Sequence, residues 1–85
     1  MNELNKQIGK NIKNYRKRAG LKQYELAKKI GFNNITMSKI EKGSDAIKIS
    51  TIQKVADVLG CSFEQIVFGE DAIVLTNEVI ERIRG

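Results

Sequence analysis

Apolar side chains recur at three- and four-residue spacing in five successive runs: Leu4, Ile8, Ile12 and Tyr15; Leu26, Ala27 and Ile30; Met37 and Ile40; Ile52, Val55, Ala56 and Leu59; and Phe63, Ile66 and Val67. That period places each run on one face of a helix. A glycine follows every run, at positions 20, 31, 43, 60 and 69, where glycine is favoured just past a helix end. Ser62 with Gln65 three residues later has the form of a capping box opening the fifth run. The pattern predicts an all-α bundle whose five helices fit within residues 1–69.

The stretch from Leu21 to Gly43, LKQYELAKKIGFNNITMSKIEKG, reads as two short helices joined by a tight turn. Gly31 ends the first helix, and Asn33 is placed to cap the second, which spans about residues 33–42. Met37 and Ile40 define the buried side of this second helix with Glu41 beside them, while Ile35 and Lys39 project the opposite way, flanked by Thr36 and Ser38. Asparagine, a β-branched apolar residue, threonine and lysine match what a major groove offers: an adenine edge, a thymine methyl, either base, and guanine or phosphate. The outward stripe of this helix is therefore the candidate reading surface for double-stranded DNA.

These residues resemble the lambda-repressor and Cro-like (XRE-type) family of helix-turn-helix DNA-binding regulators. The matching positions are Arg16, Gln23, Leu26, Ala27, Gly31, Met37, Ile40, Glu41 and Gly43, and the similarity runs from about Ile8 to Gly69, through Val55-Ala56 and Leu59-Gly60. The resemblance implies a compact five-helix bundle in which Asn33, Asn34, Ile35, Thr36 and Lys39 face the bases. It assigns Gln23 and Lys42 to the DNA backbone and pairs Arg16 with Glu41 as a structural ion pair; Lys22 and Ser38 are expected at the phosphates as well. Two positions depart from the family pattern. Lys22 stands where a Ser or Thr usually caps the second helix, which costs about 1 kcal/mol of capping and adds a cation near DNA. Ile47 stands where proline is common, so the loop from Ser44 to Ser50 is expected to take a shape of its own.

Charge sharpens this reading. The net charge is +5, yet residues 1–30 carry nine Lys or Arg and two acids, residues 31–60 four and three, and residues 61–85 two and five. The amino-terminal half is the polyanion-facing half. Any one lysine of the first helix, taken alone, reads as a solvated surface residue. With one cysteine and no histidine, neither an internal disulfide nor a multi-ligand metal site is expected, and Cys61 reads as a small core residue. No nucleophile with a plausible base and no phosphate-cradling glycine loop is found, so neither catalysis nor a cofactor is expected. No apolar run has the length of a membrane span and no signal-peptide core opens the chain, which implies a cytoplasmic protein.

Residues 70–85, EDAIVLTNEVIERIRG, lie beyond the bundle and are still apolar-rich. Leu75, Val79 and Ile83 follow a four-residue spacing, and Arg82 and Arg84 suit a helix carboxyl end, so a further short helix is expected here. Thr76 as a cap after an extended Ala72 to Leu75 segment is the alternative. The division is a DNA-binding domain at 1–69 and a dimerisation element at 70–85, with Ile73, Leu75, Val79, Ile80 and Ile83 at the interface. Packing of this segment against its own helices 1 and 5 is the competing arrangement. The function expected is a prokaryotic or phage transcriptional repressor that binds a palindromic operator as a homodimer. The alternative is an antitoxin-like subunit or a restriction-system controller protein whose last segment docks a protein partner.

Overall fold

A computed structural model of the chain describes residues 3–44 and 46–69. Five helices follow one another, and no strand occurs among the described residues: α1 (Glu3–Arg18), α2 (Gln23–Ile30), α3 (Asn34–Lys42), α4 (Ile49–Leu59) and α5 (Phe63–Phe68). Each of the five apolar runs lies on one of these helices, in order. The segment 70–85, with the interface expected of Ile73, Leu75, Val79, Ile80 and Ile83, lies outside the described residues.

The apolar faces close on one core of Ile8, Ile12, Leu26, Ala27, Ile30, Met37, Ile40, Ile52, Val55, Ala56 and Ile66. Ile12, Leu26, Met37 and Ile66 are removed from water completely, and each such burial contributes about 1.5–3 kcal/mol. Ile47 packs against this core from the loop before α4, so the position where the family resemblance leads one to expect proline carries an apolar anchor here. Cys61 is partly buried against the same core, and burial pushes its thiol pKa above the ordinary value, which suppresses the reactive thiolate.

Helix α1 packs against both α3 and α5, and α2 packs against α3 and α4. Two features hold α1 in this central place. Gly9 is buried where the backbones of α1 and α3 meet: a Cβ added there would stand 2.7 Å from the Glu41 carbonyl oxygen and would also strike the Ile40 carbonyl. Asn11, only 6% exposed, interrupts the apolar face of α1, and its Nδ2 donates to the Ile66 carbonyl at 2.9 Å while its Oδ1 accepts from Gln7 Nε2 at 2.9 Å. A carbonyl of the last turn of α5 is thus satisfied from α1, as a helix carboxyl end requires.

Candidate nucleic-acid interface

The turn between α2 and α3 is only three residues long, Gly31 to Asn33. Gly31 sits at φ 79°, a left-handed conformation that a Cβ disfavours, and the Phe32 amide donates back to the Ala27 carbonyl at 2.8 Å. Asn33 then caps α3: its Oδ1 accepts from the Thr36 amide at 2.7 Å. At the far end Gly43 takes φ 71°, and a Cβ there would stand 2.5 Å from the Lys6 Cα, so the end of α3 lies directly against the α1 backbone.

Helix α3 buries Met37, Ile40 and Glu41 and leaves its other side open. Ile35 is 70% exposed, an apolar side chain held out between exposed Asn34 and Lys39. Thr36 and Ser38 are half-buried on the flanks, and Lys42 is exposed at the last position. Gln23, Asn34, Ile35, Ser38, Lys39 and Lys42 line one open depression where the start of α2 meets the outward face of α3. Lys22 is exposed just before α2 and lies outside that lining, as do Asn33 and Thr36, which are joined in the cap.

Beneath this face Arg16 and Glu41 join α1 to α3. Arg16 Nε donates to Glu41 Oε2 at 2.7 Å and Arg16 Nη2 to Oε1 at 3.1 Å, with both side chains at least nine-tenths buried. The remaining guanidinium nitrogen, Nη1, donates to the Leu21 carbonyl at 2.9 Å. Gln23 Nε2 adds a third donor to the carboxylate, 3.2 Å from Oε1. Fork-shaped pairing of this kind fixes orientation as well as distance.

Three of these roles were not apparent from the chain pattern. Glu25, half-buried in the first turn of α2, accepts the Lys22 backbone N–H at 2.8 Å, so the lysine at the N-cap gives up only half of a capping box. A lysine ammonium has no acceptor with which to supply the other half. Gln23 engages the ion pair as well as the α2 terminus. Lys13 lines the depression above Arg16 and Glu41 together with Gln23, Ser38 and Lys42; the spacing of Lys13 from Gly9 and Arg16 along α1 signals this once Arg16 is set against α3.

Comparison with known proteins extends the geometry. The HTH_3 helix-turn-helix family model matches residues 12–66. The antitoxin PezA of Streptococcus pneumoniae is 34% identical over 67 residues, covering 79% of this chain and 42% of its own length, so this chain spans less than half of that relative. Among solved structures, a hypothetical transcription factor, NHTF, from Neisseria superposes with a TM-score of 0.76 at 26% identity, covering 87% of this chain and 85% of its own. An HTH_3 family transcriptional regulator from Vibrio cholerae gives a TM-score of 0.72 at 32% identity over 88% of this chain and 42% of its own. The clp gene regulator ClgR of Corynebacterium glutamicum shares the fold, with a TM-score of 0.75 at 21% identity over 96% and 90% of the two chains. Among the described residues no helix is long and apolar enough to cross a membrane. Five helices, a three-residue turn and an outward polar face on α3 agree with the family match: the chain belongs to the HTH_3, XRE-type, helix-turn-helix family of DNA-binding regulators.

Proposed function

We propose that this chain is a sequence-specific transcriptional repressor that binds a palindromic operator as a homodimer, with α3 in the major groove and residues 70–85 joining the two copies. The observation that carries this reading is the outward face of α3, where 70%-exposed Ile35 stands between Asn34 and Lys39 on a helix pinned from behind by Arg16 and Glu41. An apolar side chain so displayed suits a thymine methyl, and the amide and ammonium beside it suit adenine and guanine edges. Asn33 turns its Oδ1 to the helix end, where it accepts the Thr36 amide, so the two-point pairing to adenine is assigned to Asn34, while Asn33 offers its amide N–H groups and the second lone pair of its oxygen. Thr36 reaches the groove from the flank. Lys22, Gln23, Ser38 and Lys42 hold the phosphates on either side, supplying affinity without sequence information. Binding, rather than catalysis, is the activity, and repression follows from occupancy of the operator.

Selection of bound duplexes from a random library at near-physiological salt tests this reading. It should enrich a two-fold motif with half-sites about 10 base pairs apart. On that operator, Lys39→Ala should relax base preference at one position, a change of about 1–3 kcal/mol, whereas Lys42→Ala should weaken all sequences alike. Equal losses on operator and random DNA for Lys39→Ala would remove it from the reading set. Failure to enrich any motif would overturn sequence-specific regulation. The similarity to the antitoxin PezA favours a second reading, in which the last segment docks a protein partner; co-purification with a neighbouring gene product distinguishes the two.

A further inference from the structure

Helices α1, α2 and α3 meet at a depression floored by Arg16 and Glu41 and bordered by Lys13, Gln23, Ser38 and Lys42. Its lining holds three cations and one acid. The acid is already spent, because both oxygens of Glu41 accept hydrogen bonds from Arg16 and Gln23. Arg16 is likewise committed inward, with Nε and Nη2 on Glu41 and Nη1 on the Leu21 carbonyl. Among the described residues neither Lys13 nor Lys42 pairs with a carboxylate. Two ammonium groups from different helices, one hydroxyl and one amide therefore border a single open site whose own charges are balanced beneath it.

From this we infer that Lys13 completes a phosphate-binding cradle with Gln23, Ser38 and Lys42, so that α1 itself grips the DNA backbone. The inference rests on the DNA-binding reading above and adds a residue of α1 to it. The close crossing at Gly9 makes it geometrically attainable. Without a Cβ at that point the α1 backbone lies on the Ile40 and Glu41 carbonyls, and Lys13, one turn further along α1, is carried to the side of Ser38 and Lys42. A phosphate seated there would be held from three helices at once, which adds affinity that is the same for every sequence.

The test compares Lys13→Ala with Lys10→Ala, a neighbouring lysine of α1 that borders a different groove, beside Asn11 and Phe68. Affinity for the selected operator and for random duplex is measured by fluorescence anisotropy between 50 and 200 mM salt, with thermal melts to verify folding. Lys13→Ala should weaken both duplexes by the same factor and flatten the log–log salt dependence by about 0.9 per bound protomer, while Lys10→Ala keeps the wild-type slope. An unchanged slope for Lys13→Ala, or a loss confined to the operator, overturns the cradle while leaving DNA binding intact. Absence of salt-sensitive DNA affinity in the wild-type chain overturns the DNA-binding reading itself, and the cradle with it.

Discussion

Removing one partner of the Arg16–Glu41 pair strands the other's charge in a site with almost no water. With side-chain exposures of 9% and 4%, the pair belongs to the buried class, in which loss of one member costs about 3–5 kcal/mol. Glu41→Ala should therefore lower unfolding stability by that amount in urea titration, and a double replacement, Arg16→Met with Glu41→Leu, should cost less than the single change. If the separate losses of Arg16→Met and Glu41→Leu simply add in the double variant, the charges act independently. At this scale the sequence was only partly legible. Arg16 and Glu41 were named as partners through a family pattern, whereas Gln23 joining them, and Glu25 taking over half of the missing cap at Lys22, depend on where two helix ends fall in space. Asn33 was readable as both cap and base contact, and only its 2.7 Å bond to the Thr36 amide shows which of its atoms is already occupied.

Among the elements, α1 is the one on which the placement of the others depends. Its Gly9 and the Gly43 that ends α3 let two backbones touch within about one helical turn of each other, and Asn11 ties its opposite side to the end of α5. Alanine at position 9 would gain about 1 kcal/mol of helix propensity and lose about 1–3 kcal/mol by forcing α1 off the α3 carbonyls. Gly9→Ala is accordingly expected to be net destabilising in chemical denaturation, and a stabilised variant would refute the close crossing. The five helices themselves were legible because each apolar run repeats at helical spacing and each ends at a glycine. What periodicity does not encode is which polar position inside a helix is buried. Asn11 lies between Ile8 and Ile12 on the inner face of α1, and a polar residue there signals a distant partner without naming it. Gly9 likewise reads as a weak point in a helix until α3 is laid across it.

For the molecule as a whole, the described bundle presents one helix proposed to read bases, and one half-site of a few base pairs seldom discriminates an operator from a genome. Two copies related by a two-fold axis would set two such helices about 34 Å apart, one turn of DNA. If residues 70–85 supply that axis, Ile80→Asp should give a folded monomer by sedimentation with weakened operator binding; an unchanged sedimentation mass would move the interface elsewhere. The apolar character of this segment was plain in sequence, but periodicity alone does not distinguish a face that meets a second copy from one that folds back. The contrast between the inner and outer charges of the bundle has a further consequence. Ions in solution screen exposed lysines such as Lys39 and Lys42 but hardly reach Arg16 and Glu41. A rise in ionic strength that releases the chain from a polyanion therefore leaves its architecture standing, and the same molecules are ready to rebind as soon as the salt falls.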